Sequence, residues 1–154
     1  MAKYFRRSSP AREIREPMYL PEAAGQTFKI GDLVYLASGK ITVCAHDANF
    51  GAPFGFAGAN ATGTTDTILP VFPIVQGDVF EGYISGTLAA SMFAGNANCS
   101  FALTTDAAAG GSWIIDTATH DHHVANIIGP LDPIGTVNGR VYFVFPTPQG
   151  SVAA

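Results

Sequence analysis

From Thr27 onward this chain alternates apolar and polar residues with a period of two, and no stretch holds a helical period for long. Alternation of that kind is the mark of half-buried strands. Phe28 and Ile30 alternate with Thr27 and Lys29, Gly31-Asp32 punctuates, and residues 33–37 and 40–45 flank Ser38-Gly39 as a hairpin. Further strands are expected over 54–57, 68–75, 79–84, 99–104, 113–116, 124–128 and 141–145. Pro70 and Pro73 cannot donate to a ladder, so 68–75 is expected at a sheet edge or a bulge. Asn138-Gly139 is a strong turn dipeptide leading into the final strand. The best helical candidate, residues 89–94, is short and flanked by glycines. Many short strands with a turn signal about every ten residues predict an all-β fold, a small β-sandwich or β-barrel. Residues 28–34 and 74–80 look alike, but two such phrases do not make a repeat.

The first 24 residues have a different character. Pro10, Pro17 and Pro21 interrupt any helix, and the apolar residues are irregularly spaced. We read 1–24 as an extended N-terminal arm, 25–146 as the β domain and 147–154 as a patternless tail. Five of the eight basic residues (Lys3, Arg6, Arg7, Arg12 and Arg15) lie in the first fifteen, against one acid, Glu13, a net of +4. From residue 23 on there are three basic and nine acidic residues, a net of −6. The arm also carries Phe5, Ile14, Met18, Tyr19 and Leu20, which a merely solubilising tail does not need. Anchors so few do not offset the backbone entropy of ordering the arm. It therefore requires pairing with a sheet edge or charge pairing with a partner. An acidic body behind a basic arm suits an acidic protein surface better than direct contact with nucleic acid.

Only 13% of the residues are charged, about half the usual share, while 47% are apolar. Such a chain builds a core but has little charge to hold copies apart, which favours assembly. Cys44 and Cys99 are too few for a disulfide framework and sit in apolar stretches, as core thiols do. No apolar run is long enough for a membrane helix, and no apolar segment of a secretory signal follows the basic residues.

Catalytic chemistry finds little to stand on. There is no Gly-x-Ser-x-Gly elbow, no Cys–His signature, and no lysine or helix after the Gly-rich stretch 51–63 to cradle a phosphate. His120, His122 and His123 cluster with Asp121, and in a strand His120 and His122 would share one face. A structural zinc site wants four ligands, and no second pair stands at motif spacing. We therefore expect no enzyme, no cofactor and no metal. Trp113, Phe50, Phe54 and Phe56 would be the stacking residues of a carbohydrate-binding β-sandwich if exposed; otherwise they are core.

Residues 25–36 (Gly-Gln-Thr-Phe-Lys-Ile-Gly-Asp-Leu-Val-Tyr-Leu), then Ser38-Gly39-Lys40-Ile41, Phe54-Gly55-Phe56-Ala57, Leu69-Pro70-Val71-Phe72-Pro73-Ile74 and Gly77-Asp78-Val79-Phe80-Glu81-Gly82, follow one another in an order that resembles the capsid decoration (cement) proteins of tailed bacteriophages. The closing Gly139-Arg140-Val141-Tyr142-Phe143-Val144-Phe145 fits the same pattern, so the likeness covers residues 25–145. It implies a β-tulip-like body, synthesis in the host bacterial cytoplasm, and a place on the outer capsid surface bridging major capsid protein subunits. It also implies self-association, commonly as a homotrimer. The family has no catalytic residues. On this reading Phe5, Arg6, Arg7, Arg12, Ile14, Arg15, Met18, Tyr19 and Leu20 form a capsid-contact arm. The rival readings are another virion part (tail, head-fibre or baseplate) and the carbohydrate-binding module.

Overall fold

A computed structural model of the chain describes residues 6–7, 16–44, 53–93, 100–106, 112–118 and 124–146. The fold is all-β, as expected, with one short 3-10 turn, Ala90–Met92, among the described residues. The span read as one body divides into two compact units. Of the described residues, one comprises 16–44 and 53–75, the other 6–7, 76–93, 100–106, 112–118 and 124–146.

The first unit is a five-stranded barrel. Its strands are β2 (Met18–Pro21), β3 (Leu33–Ala37), β4 (Lys40–Val43), β5 (Gly55–Ala57) and β6 (Ile68–Pro73). They lie in the order β2-β6-β5-β3-β4, all antiparallel. The expected Ser38-Gly39 hairpin joins β3 to β4, and both turn residues take positive φ (50° and 77°), as a two-residue loop demands. Phe28, Val34, Ile41, Phe54, Ala57, Leu69 and Val71 form the core, with Leu20, Leu36 and Val43 packed against it.

The second unit contains β7 (Val79–Tyr83), β8 (Ser100–Asp106), β9 (Ser112–Asp116), β10 (Ala125–Pro130) and β11 (Arg140–Val144), in the order β7-β11-β10-β8-β9. A further two-residue strand, β1 (Arg6–Arg7), pairs with Glu81 and Phe80 on the outer side of β7. Phe80, Phe143 and Phe145 pack with ring centroids 5.3–5.9 Å apart, two of the three pairs edge to face. Ile84, Leu88, Ile115, Ile127 and Val141 are buried as well. Asn138-Gly139 does not make a two-residue hairpin. Nine residues join β10 to β11, and Asn138 alone of the pair is left-handed.

The two units share one topology. Counting strands in chain order, each sheet runs first-fifth-fourth-second-third, and the third returns to the first by a parallel bridge. That bridge is Glu22 with Ile41 in one barrel and Ile84 with Ile115 in the other. The details match. The residue after the bridge donates to the bridge partner's carbonyl, Ala23 to Ile41 at 3.1 Å and Ser85 to Ile115 at 2.9 Å. The bridge residue's own amide donates to the residue preceding the fifth strand, Glu22 to Thr67 at 2.8 Å and Ile84 to Gly139 at 3.1 Å. Two residues before that strand stands a left-handed non-glycine, Asp66 at φ 65° and Asn138 at φ 52°. By contrast, the look-alike phrases 28–34 and 74–80 share only a turn, with Gly31 at φ 90° and Gly77 at 92°. They precede different strands of the two barrels.

Residues 18–22, read from the sequence as the end of an arm, are the first strand of the first barrel and its closing bridge. The exposed backbone of β6 offers Met18–Pro21 a ladder within the same chain, and Leu20 drops onto the core.

Backbone parity shows where the prolines go. Gly58 N donates to Pro70 O and Ile74 N to Phe54 O, each at 2.9 Å. Residues 70, 72 and 74 therefore bond toward β5, and residues 69, 71 and 73 toward β2. Pro70's missing donor falls opposite Gly58, one residue past the end of β5, and Pro73's falls before β2 begins. Each proline sits where a neighbouring strand stops, so β6 is an interior strand and the expected edge position is corrected.

Gly55 faces Pro73 on β6, and a Cβ there would meet the Phe72 carbonyl oxygen at 2.3 Å and carbon at 2.9 Å. These are backbone atoms, which cannot swing aside. Gly55→Ala is expected to lower stability by at least about 2 kcal/mol, measured by urea denaturation.

Candidate interaction face

On β2, Glu22 N bonds to Thr67 O, so residues 18, 20 and 22 bond toward β6 while 17, 19 and 21 turn their backbone groups outward. Two of those three outward positions are prolines, leaving Tyr19 the one amide donor among them.

Side chains follow the pairing, since residues directly opposite in a ladder share a face. Leu20 opposes Leu69 and Met18 opposes Val71 on the core side. Tyr19 opposes Pro70 and Pro21 opposes Ile68 on the outer side, and Phe72 continues that row. Tyr19 is 67% exposed, Ile68 58% and Phe72 40%, while Pro21 and Pro70 are half-buried. The outer surface of β2–β6 is thus five apolar side chains with no charge, and the Tyr19 hydroxyl is its one polar side-chain group. The Phe72 ring lies close over Gly58, where an added Cβ would come within 3.0 Å of it.

The other barrel provides a control. Its corresponding strands, β7 and β11, turn Glu81, Tyr83, Arg140 and Tyr142 outward, with Val79 and Val144. There Arg140 is held in a fork by Asp132, from Nη2 to Oδ1 at 2.8 Å and from Nε to Oδ2 at 3.2 Å. Hydrogen bonds from the Arg140 side chain and backbone hold the Asp132 carboxyl below its usual range. The same two strands of the same topology carry a charged surface in one barrel and an uncharged one in the other. The apolar face is therefore not a requirement of the barrel.

A buried carboxylate fixes the frame behind this face. Glu22 is fully buried. It accepts from Thr62 N at 3.0 and 3.2 Å, from Thr62 Oγ1 at 2.7 Å and from Gly63 N at 2.7 Å. Its carbonyl accepts from Asp66 N at 2.8 Å. Burial works to raise its pKa, but the bonds from the Thr62 hydroxyl, the Gly63 amide and the Thr62 amide outweigh it, and the carboxyl titrates below its usual range. The loop between β5 and β6 is pinned in this way to the end of β2. Lys40 adds an exposed ion pair to Asp66 at 2.8 Å.

The residues expected to form the arm separate. Met18 and Tyr19 are exposed and Leu20 is half-buried, all three on β2; Arg6 and Arg7 form β1. Phe5, Arg12, Ile14 and Arg15 lie outside the described residues. So do Cys99, Phe50 and the cluster of His120, His122 and His123. Among the described residues no three His, Cys, Asp or Glu side chains gather as a metal site requires. No described helix is long and apolar enough to cross a membrane. Trp113 and Phe54 are buried, so neither offers an open ring face for sugar stacking, and Phe56 is half-buried. Cys44 is buried, and desolvation pushes its thiol pKa up, away from reactive thiolate.

Sequence reasoning missed Ile68, Phe72 and Glu22. The first two sat in a run read as a strand without a known outer side. A single glutamate after a proline carries no signal of burial.

Family models, curated proteins and solved structures yield no match to this chain.

Proposed function

We propose that this protein is a virion structural component, a capsid decoration protein of a tailed bacteriophage that binds the outer surface of the head. The observation that carries this reading is the uncharged outer face of β2–β6, on a chain in which only 13% of residues are charged. Contiguous exposed apolar surface marks a contact with other macromolecules. Support also comes from the basic first fifteen residues, which suit an acidic protein surface, and from the likeness of residues 25–145 to cement proteins. The partners are the major capsid protein and other copies of this chain. The protein stabilises the shell against packaged DNA because it binds only the assembled state, and that binding free energy adds to the shell's own.

The test is to add the purified chain to expanded heads lacking it and to measure co-sedimentation and the temperature at which DNA is released. Saturable binding with a raised release temperature is the expected result. Binding to purified tails instead of heads would move the protein to another part of the virion. A chain lacking residues 1–15 is expected to bind heads at least tenfold more weakly, and more so at low salt, where charge pairing is strongest.

A further inference from the structure

We infer that the outer edge of β7 is a binding site for an extended strand, and that its ligand is the basic N-terminal segment of this same chain. This goes beyond the proposed function and does not depend on it.

The equivalence of the two barrels shows what is unusual at this edge. Glu22 and Ile84 make the same closing bridge, so residues 17, 19 and 21 of the first barrel correspond to 79, 81 and 83 of the second. Ile84 N bonds to Gly139 O, so residues 80, 82 and 84 bond toward β11 while 79, 81 and 83 turn their backbone groups the other way. In the first barrel two of the three outward positions are prolines. In the second they are Val79, Glu81 and Tyr83, none of them a proline. An edge of that kind takes up an extended chain unless it is blocked or covered. The first barrel blocks its edge with proline, and the second covers its edge with β1. The covering strand sits at Glu81, the position equivalent to Tyr19.

Register and charge both select the N-terminal segment. Arg6 stands opposite Glu81 and Arg7 opposite Phe80, antiparallel. Because residue 81 bonds outward, positions 6 and 81 are the pair that exchanges backbone hydrogen bonds, and residue 7 turns its amide and carbonyl away from β7. Opposite charges at directly opposed positions favour this register. Residues 76–146 carry six acidic residues and one basic, while the first fifteen residues are net +4. A two-residue ladder is weak by itself. Belonging to the same chain raises the effective concentration of the segment at the edge. Such a contact keeps the edge closed and can still be exchanged for another copy of the same strand.

The experiment is residue-resolved amide hydrogen exchange on the full chain, in wild type, Arg6→Pro and Arg7→Pro. Both substitutions remove the same charge. Only at residue 6 does the proline ring stand where an amide hydrogen meets the Glu81 carbonyl; at residue 7 it turns away from β7. Arg6→Pro is expected to speed exchange at Glu81 at least about tenfold, and Arg7→Pro to leave it as in the wild type. Phe80 and Gly82, bonded to β11, should stay protected in all three chains. A synthetic peptide of residues 1–15 added to the Arg6→Pro chain should restore protection at Glu81, and the same peptide carrying Arg6→Pro should not.

Equal exchange at Glu81 in all three chains overturns the inference. Equal acceleration by both prolines also overturns it, since charge alone would then hold the segment. So does loss of protection at Phe80 and Gly82 in Arg6→Pro, or failure of the wild-type peptide to restore protection, because β1 would then be a fixed part of the barrel rather than a ligand of its edge.

Discussion

Phe143→Ala is expected to lower the stability of the second barrel by about 3–5 kcal/mol, the largest effect of any single truncation considered. Phe143 has no exposed surface and packs edge to face on Phe145 at 5.3 Å, with Phe80 at 5.9 Å on another side. It lies on β11, which is paired on both sides, so the strand cannot move inward to fill the hole without breaking two ladders. The loss should exceed the transfer free energy of the ring for that reason. Urea denaturation followed by Trp113 fluorescence reads it directly, since Trp113 belongs to the same unit. A change under about 1 kcal/mol would show that the aromatic cluster is not the centre of that barrel's core.

Glu22→Ala is expected to cost about 2–4 kcal/mol at neutral pH, because it removes the buried acceptor of two backbone amides and a hydroxyl that pin the loop between β5 and β6. Glu22→Gln should lose nearly as much, since its amide nitrogen would turn a donor toward donors. The pH dependence follows from the sign of the shift. The folded carboxyl titrates below the usual 4.5, so its contribution is complete above that pH and disappears as pH falls through the folded value. Wild type and Glu22→Gln should therefore differ by on the order of 2–3 kcal/mol at pH 7, and the difference should shrink as pH falls through the folded value. A difference that stays constant across this range would mean that the carboxylate's charge is not what holds the loop.

Much of the fold was legible in the residues, and the failures have physical causes. The hairpin at Ser38-Gly39 was readable because its chemistry is local. Those residues alone supply the positive φ the turn needs, and the alternation on either side supplies the strands. Pro70 and Pro73 misled because a missing donor shows only that no partner bonds at that residue. It does not show that the strand has no neighbour, and β6 has two. Residues 18–21 read as free arm because a four-residue strand between prolines is too short to display a period. Its stability comes from β6, fifty residues away. The shared topology of the two barrels left no trace in the pattern. Backbone pairing preserves it, and Glu22 in one barrel stands where Ile84 stands in the other.

The interaction face was hidden for a related reason. Alternation reports that one side of a strand is apolar, but when both sides are, as over residues 68–73, it cannot say which side meets solvent. The inner side was settled by Leu69 and Val71 joining the core, and Ile68 and Phe72 were left outside by default.

Pro17 and Pro21 have a consequence for solubility. A charge-poor chain rich in β-structure is at risk of polymerising sheet to sheet into insoluble fibres. Along the outward side of β2 such growth would find a single usable amide, that of Tyr19, so this stretch is a poor template for it.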